Sequence, residues 1–354
     1  MRILLVSHPP LAAELGAAQI ALNLAAALRA RGHDAQAWSP EPLADTRWWN
    51  FWRRQTRAIE RFVESHGPFD VIETPAISAS ARLARYGRIV VRSVQPELRY
   101  LFLDLRSDVA HRPSPRALVN AALGIPRAAA ILSGWRHASR ILCLGTLELA
   151  WMRRHFPQWN RKLGLYVCAL PPGDQATLAA VRRGRERRAG QGIRFLWMGR
   201  WSAQKGTHRL LRFLRERLES HPHDTFSLAG CGPTAARNLT PEWLRSGRVR
   251  IVPAFARAEL AGLLAGHDAG LFTSTIEGWG LSLTEMLESG LTVFATEAGA
   301  VADLRPYFPL SLRTFPSPAQ IETTPLEDLE ENGYRARFSW QAIARAWEEQ
   351  VFER

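Results

Sequence analysis

Arg200 and Lys205 place two cations on one short stretch, Gly199-Arg200-Trp201-Ser202-Ala203-Gln204-Lys205-Gly206, directly after an apolar run. Two cations on one loop suit a diphosphate, whose charge must be neutralised as it leaves. Two solvated surface bases are the plain alternative. Composition bears on the choice: of 46 basic residues only Lys162 and Lys205 are lysine. A Lys-Gly pair at this loop therefore points to a compact ammonium where a guanidinium would not serve.

A second group lies downstream in Ser274-Thr275-Ile276-Glu277-Gly278-Trp279-Gly280-Leu281 and the helical pattern that follows it. Gly278 and Gly280 permit close backbone approach, and a helix beginning near Leu281 offers unpaired N–H groups and a positive dipole end to an anion. Glu277 precedes that helix and Glu285 lies about one turn inside it, so both carboxylates can reach one cleft. Carboxylates do not bind phosphate, but they accept hydrogen bonds from ribose or sugar hydroxyls. A surface glutamate at 285 and a favourable helix-start charge at 277 are the plain readings. Gly230-Cys231-Gly232-Pro233 and Pro253-Ala254-Phe255 complete a set of four loops, each after an apolar run.

The elements that must position these loops follow from the patterning. In the first half, short apolar runs at Ile3 to Val6, Asp34 to Trp38, Val71-Ile72, Ile89 to Val91 and Ile141 to Leu144 alternate with helical stretches such as Ala17 to Leu28 and Ala76 to Arg85. The second half repeats the alternation, with strands at Ile193 to Met198, Phe226 to Ala229, Val249 to Val252, Ala269 to Thr273 and Thr292 to Ala295. Helices are expected at Arg209 to Leu218, Arg257 to Leu264 and Leu281 to Ser289. Such alternation predicts two doubly wound parallel sheets, with ligands at the carboxyl ends of the strands. The domains are read as 1–168 and 192–337, with a charged, glycine-rich linker at 169–191 and a final helix at 338–354. The acidic stretch Glu322 to Glu331 reads as solvated.

Composition excludes other classes. A chain of 354 residues with 46% hydrophobic and 22% charged residues is globular and long enough for two domains. Cys143, Cys168 and Cys231 are odd in number and widely spaced, which argues against a disulfide framework and a cysteine zinc site and for a reducing compartment. The opening apolar run is shorter than a signal-peptide core and no stretch approaches a membrane span, so a cytoplasmic protein is expected. His8, His33, His111 and His137 stand apart, without the spacing of metal ligands; His8 keeps interest because it follows the first strand.

The sequence resembles the retaining GT-B glycosyltransferases that carry the Glu-x7-Glu motif, the glycosyltransferase family 4-like group. The resemblance rests on Glu277-Gly-Trp-Gly-Leu-Ser-Leu-Thr-Glu285, Gly199-Arg200, Lys205-Gly206, Gly230-x-Gly232-Pro233 and Gly290 with Thr292 to Thr296. It is weaker in the first half, where Gly16-Ala17 stands in place of the usual double glycine. The His often found after the fourth strand is absent from Arg92-Ser93-Val94-Gln95-Pro96-Glu97, so no catalytic base is named. The resemblance implies a UDP-, GDP- or ADP-linked sugar donor in the second domain, an acceptor near Gly16 and His8 in the first, and metal-independent transfer with retention. It implies that Arg200 and Lys205 hold the diphosphate, that Glu285 meets the ribose, that Glu277 faces the donor sugar, and that the terminal helix with Trp340 crosses back to the first domain.

The net charge of +13 sits mainly in residues 1–165, which hold 23 basic against 12 acidic residues. An anionic surface is the expected partner of that half. The segment Thr46 to Phe62, with Trp48, Trp49, Trp52, Arg53, Arg54 and Arg57, suits an anionic membrane interface, and burial of its tryptophans is the alternative. Together these imply a glycan or lipid-linked acceptor at the inner face of the plasma membrane, in assembly of a cell-surface polysaccharide or glycolipid. A nucleotide-sugar epimerase or a non-catalytic binder fits the same fold. A nucleic-acid-binding protein is suggested by charge alone, with no accompanying motif.

Overall fold

The computed structural model describes residues 1–12, 16–41, 50–111, 115–185, 192–316 and 326–352. They form two compact units, one of Met1–Ala169 with Ala336–Arg354 and one of Leu170–Arg335. Each is built on a six-stranded sheet whose pairings are all parallel.

In the first unit, β1 (Arg2–Val6), α1 (Gly16–Ala30), β2 (Asp34–Trp38), α2 (Phe51–His66), β3 (Val71–Thr74) and β4 (Arg88–Arg92) lead to two helices, α3 (Glu97–His111) and α4 (Pro115–His137). The chain continues through β5 (Arg140–Leu144), α5 (Thr146–His155) and β6 (Leu163–Tyr166). The sheet order β2-β1-β3-β4-β5-β6 reverses direction between β1 and β3. The expected helix from Ala76 to Arg85 is instead two single 3-10 turns, Ala76–Ser78 and Leu83–Arg85. Ser80 interrupts it by turning its hydroxyl to Glu60 and accepting the Leu83 N–H, the local competition that serine offers a helix.

The second unit opens with α6 (Pro172–Arg183), then β7 (Arg194–Met198), α7 (Thr207–Ser220), β8 (Thr225–Ala229), α8 (Pro241–Arg245), β9 (Val249–Val252), α9 (Leu260–Ala265) and β10 (Ala269–Phe272). It ends with α10 (Leu281–Glu288), β11 (Thr292–Ala295), α11 (Val301–Leu304), β12 (Leu312–Thr314) and α12 (Tyr334–Arg337). Its order, β12-β11-β10-β7-β8-β9, reverses between β7 and β10. Both reversals are topological switch points, where loops on adjacent strands run to opposite sides and leave a crevice.

The stretch read as a linker is thus partly a helix of the second unit. Its arginines bury their heads rather than solvate them. Arg182 donates to the Leu287 and Glu327 carbonyls, and Arg185 to the carbonyls of Leu264, His267 and Ser289, closing the carboxyl ends of α9 and α10. The acidic stretch expected to be solvated is in part buried too. Glu327 accepts hydrogen bonds from the Leu310 and Ser311 N–H groups and pairs with Arg182.

The last helix, α13 (Trp340–Phe352), belongs to the first unit. Its Trp347 is fully buried and donates to Glu73 on β3 at 2.6 Å, while the other Glu73 oxygen accepts from Arg92 on β4 at 2.5 Å. Arg31 and His33 hold Glu348 on its outer face. Removing one partner of a buried ion pair strands the other charge, which costs about 3–5 kcal/mol. Glu73→Ala is therefore expected to lower urea stability by that amount, followed by far-ultraviolet circular dichroism; a loss below about 1 kcal/mol would show the network to be dispensable.

Candidate functional site

The loops after β7 and β10 flank the switch point of the second sheet, and they touch. Gly206 is left-handed, φ 65°, and a Cβ there would lie 1.8 Å from the Thr273 carbonyl oxygen. Only glycine allows this approach. The contact is then locked by Thr273 Oγ1 donating to the Lys205 carbonyl at 2.8 Å and the Thr275 N–H donating to the Gln204 carbonyl at 2.7 Å. Arg209, on the first turns of α7, adds a hydrogen bond to Thr275 Oγ1.

This brings Lys205 and Glu277 together. The Lys205 ammonium lies 2.6 Å from Glu277 Oε2, and Ser274 Oγ donates to the same oxygen at 3.0 Å. Neither side chain is fully covered, so both remain open to a ligand. Arg200, by contrast, is exposed and has no ion pair among the described residues. Gly199 and the buried Gly278 sit in the two loops, and Gly280, φ 85°, is the left-handed cap from which α10 starts at Leu281. The first N–H groups of that helix lack intrahelical acceptors.

Glu285 is buried on α10 and does not meet Glu277. Burial raises its acidity constant above the usual carboxylate range, and the guanidinium of Arg257 opposes that shift. Arg257 Nη1 is 2.5 Å from Glu285 Oε1, and its Nη2 is 2.5 Å from Asp174 on α6. Sequence reasoning missed both partners. Arg257 stands in a short 3-10 turn, Arg257–Glu259, just beyond the Pro253-Ala254-Phe255 loop already marked as a strand end; Asp174 was hidden in the apparent linker. Gly230, φ 68°, closes the third loop, where a Cβ would lie 3.4 Å from the Phe255 ring. Cys231 is buried and its thiol is pushed up by burial, as expected of a residue that fills a loop.

At the switch point of the first sheet, His8 Nε2 is 2.8 Å from Ser78 Oγ, which lies 3.0 Å from Thr56 Oγ1. Burial lowers His8 to about 4, which keeps the ring neutral. Gly16 begins α1. Two acids at this edge were not anticipated. Glu97 accepts the Ala76 N–H, while Glu148 accepts from Ser93 Oγ and the Leu144 N–H. Burial pushes Glu97 up to about 8 and Glu148 up to about 7.

Of the basic and aromatic segment, Trp48 and Trp49 lie outside the described residues. Trp52 is half-buried under the Arg53 guanidinium, which lies 5.1 Å from its ring centroid. Arg53 and Arg57 are exposed and Arg54 is half-buried. The helix α2 docks through Gln55, Ile59 and Val63. The apolar exposure expected there is found on α4 instead, at Leu118, Val119, Ile125 and Leu132.

Known proteins match this arrangement. Residues 192–306 match the family model described as "Glycosyl transferases group 1". They are a group 1 glycosyltransferase domain. Within the curated proteins, "Uncharacterized glycosyltransferase YqgM" of Bacillus subtilis (strain 168) is 28% identical over 113 residues, 31% of this chain and 32% of that protein. The match thus spans about a third of the curated relative. Among solved structures, sucrose-phosphate synthase from Thermosynechococcus elongatus superposes with a TM-score of 0.65 at 16% identity, over 99% of this chain and 94% of that one. Anabaena Alr3699/HepE in complex with UDP gives 0.54 at 16% identity, over 99% and 96%. The fold is GT-B, with the glycosyltransferase domain as the larger part of the second unit.

Acids held neutral in the fold bind protons that the unfolded chain, with ordinary carboxyls near 4.5, has already released. Stability from Glu97 and Glu148 is therefore greatest at low pH and falls as pH rises from 4.5 towards 8. Glu97→Gln keeps the neutral shape and is expected to flatten that fall, read from urea midpoints across this window. An unchanged slope in the variant would mean Glu97 does not titrate there.

Proposed function

We propose that the chain transfers a sugar from a nucleoside diphosphate donor to an acceptor hydroxyl, with retention of anomeric configuration. The observation that carries this reading is the meeting of Lys205 and Glu277, 2.6 Å apart, at the switch point beside the start of α10. In this reading Lys205 leaves Glu277 for the donor diphosphate, joined by Arg200 and the N–H groups at Leu281. Neutralising the departing charge with these groups asks for no metal ion. Glu277, released from its ammonium, faces the donor sugar. Glu285 takes ribose hydroxyls, and HepE with its UDP supports a donor of this class. The first unit receives the acceptor, near His8 and Gly16 at its own switch point.

The acceptor is proposed to be lipid-linked, at an anionic membrane surface, in the assembly of a cell-surface polysaccharide or glycolipid. Leu118, Ile125 and Leu132 recur every seven residues along α4, which puts them on one helix face, and they are exposed by 66%, 77% and 38%. Phe102 on α3 adds a further exposed ring. Arg136 continues the α4 face at its carboxyl end, within the half of the chain that holds most of the positive charge. An apolar stripe with basic residues at its end suits insertion among anionic headgroups. Among the described residues no helix is long and apolar enough to cross a membrane.

A thermal-shift screen with UDP, GDP, ADP and their sugars is expected to give a selective rise in melting temperature for one nucleotide. Lys205→Ala should weaken that nucleotide by about 1.5–3 kcal/mol, or about 10- to 150-fold in Kd by calorimetry. Unaltered affinity would remove Lys205 from the donor site. The anomeric configuration of the product, read by NMR, tests retention. Ile125→Asp with Leu132→Asp should abolish cosedimentation with phosphatidylglycerol vesicles and leave nucleotide binding intact; wild-type protein that ignores such vesicles at low salt would favour a soluble acceptor.

A further inference from the structure

Glu285 poses a problem that the donor reading leaves open. A carboxylate that accepts ribose hydroxyls must be ionised and must have an oxygen to spare, yet this one is almost fully buried, and burial favours its neutral form. The solution lies in three elements brought together only by the fold. Arg257 spends its fork in two directions. Nε and Nη2 both donate to Asp174 Oδ2, at 3.1 and 2.5 Å, while Nη1 donates to Glu285 Oε1 at 2.5 Å. Asp174 is itself seated in the first turn of α6, where the helix dipole favours its charge. Among the described residues no group engages Glu285 Oε2.

We propose that Arg257, oriented by Asp174, is the positioning residue for Glu285: it clamps one carboxylate oxygen and leaves the other for a hydroxyl of the nucleoside. The inference rests on the donor-site reading given above. A planar guanidinium suits the role because it presents donors in a fixed fork that two carboxylates can share. Lysine would offer one rotating point charge and lose the Asp174 anchor. The charged groups that face Glu285 are Arg257 and Lys205, which favour its ionised form, and Asp174, which opposes it. When a nucleotide diphosphate draws Lys205 away, Arg257 is the cation left to hold Glu285 charged. The clamp therefore matters most when the site is occupied.

The experiment is calorimetry at pH 8 and pH 6 on wild type, Arg257→Met, Arg257→Lys and Asp174→Asn, with UDP, GDP and ADP in turn and inorganic pyrophosphate as a control. The readout is the ratio of nucleotide to pyrophosphate affinity, which removes effects on phosphate binding. For wild type the ratio is expected to hold steady between the two pH values. For Arg257→Met it should fall by about tenfold at pH 6, the loss of one charge-assisted hydrogen bond as Glu285 takes up a proton. Arg257→Lys should restore part of the ratio, and Asp174→Asn, which preserves shape, should give an intermediate fall. A ratio in Arg257→Met and Asp174→Asn that matches wild type at both pH values would overturn the inference. An equal loss of pyrophosphate affinity would also overturn it, since Arg257 would then act on phosphate. If wild type binds none of the three nucleotides, the donor-site reading falls, and this inference with it.

Discussion

The contact between Gly206 and the carboxyl end of β10 carries much of the second unit's chemistry. Two strands adjacent in the sheet but remote in sequence, β7 and β10, send their loops to opposite sides of the switch point. Those loops meet only where a missing Cβ lets one backbone sit against the other, 1.8 Å from where a methyl carbon would be. From that approach follow the Lys205 carbonyl bonded to Thr273, the ammonium beside Glu277, and α10 entered through left-handed Gly280. The site is thus a property of backbone packing first and of side-chain charge second.

A second constraint runs through both units: acids are buried, and arginine accompanies them. Glu73 has Arg92, Glu285 has Arg257, Glu288 has Arg335 with the Tyr334 hydroxyl, and Glu327 has Arg182. Several arginines also gather backbone carbonyls. Arg248 donates to the carbonyls of Leu218, His221 and Asp224, and Arg185 to three others. A guanidinium has five donors in a rigid plane, and an ammonium has three on a flexible stem. The near absence of lysine, which by composition alone pointed outward to an anionic partner, is therefore partly an internal matter.

The first unit shows the same logic with a different outcome. Its switch point is lined by groups held neutral, with His8 lowered and Glu97 and Glu148 raised by burial. The second unit's switch point carries an exposed arginine, an ammonium and a helix start. Neutral hydrogen-bonding groups suit hydroxyl-rich ligands, and cations suit phosphate. This division agrees with an acceptor in one unit and a donor in the other.

The sequence by itself determined the two alternating strand and helix series, because a parallel sheet covered on both faces must be written as short apolar runs between amphipathic helices. It also determined the loops that carry Arg200, Lys205, Glu277 and Glu285, since loops at strand ends are readable once the strands are. Tertiary structure alone decided the pairing. Nothing local says that Lys205 reaches Glu277, 72 positions away, or that Asp174 and Arg257, 83 positions apart, share a hydrogen bond. The helix at 172–183 was illegible because its arginines look solvated in one dimension, and their acceptors are carbonyls of α9 and α10 that only packing delivers. The exposed face of α4 was missed for the converse reason: apolar residues read as core until the fold shows which of them have nothing packed against them.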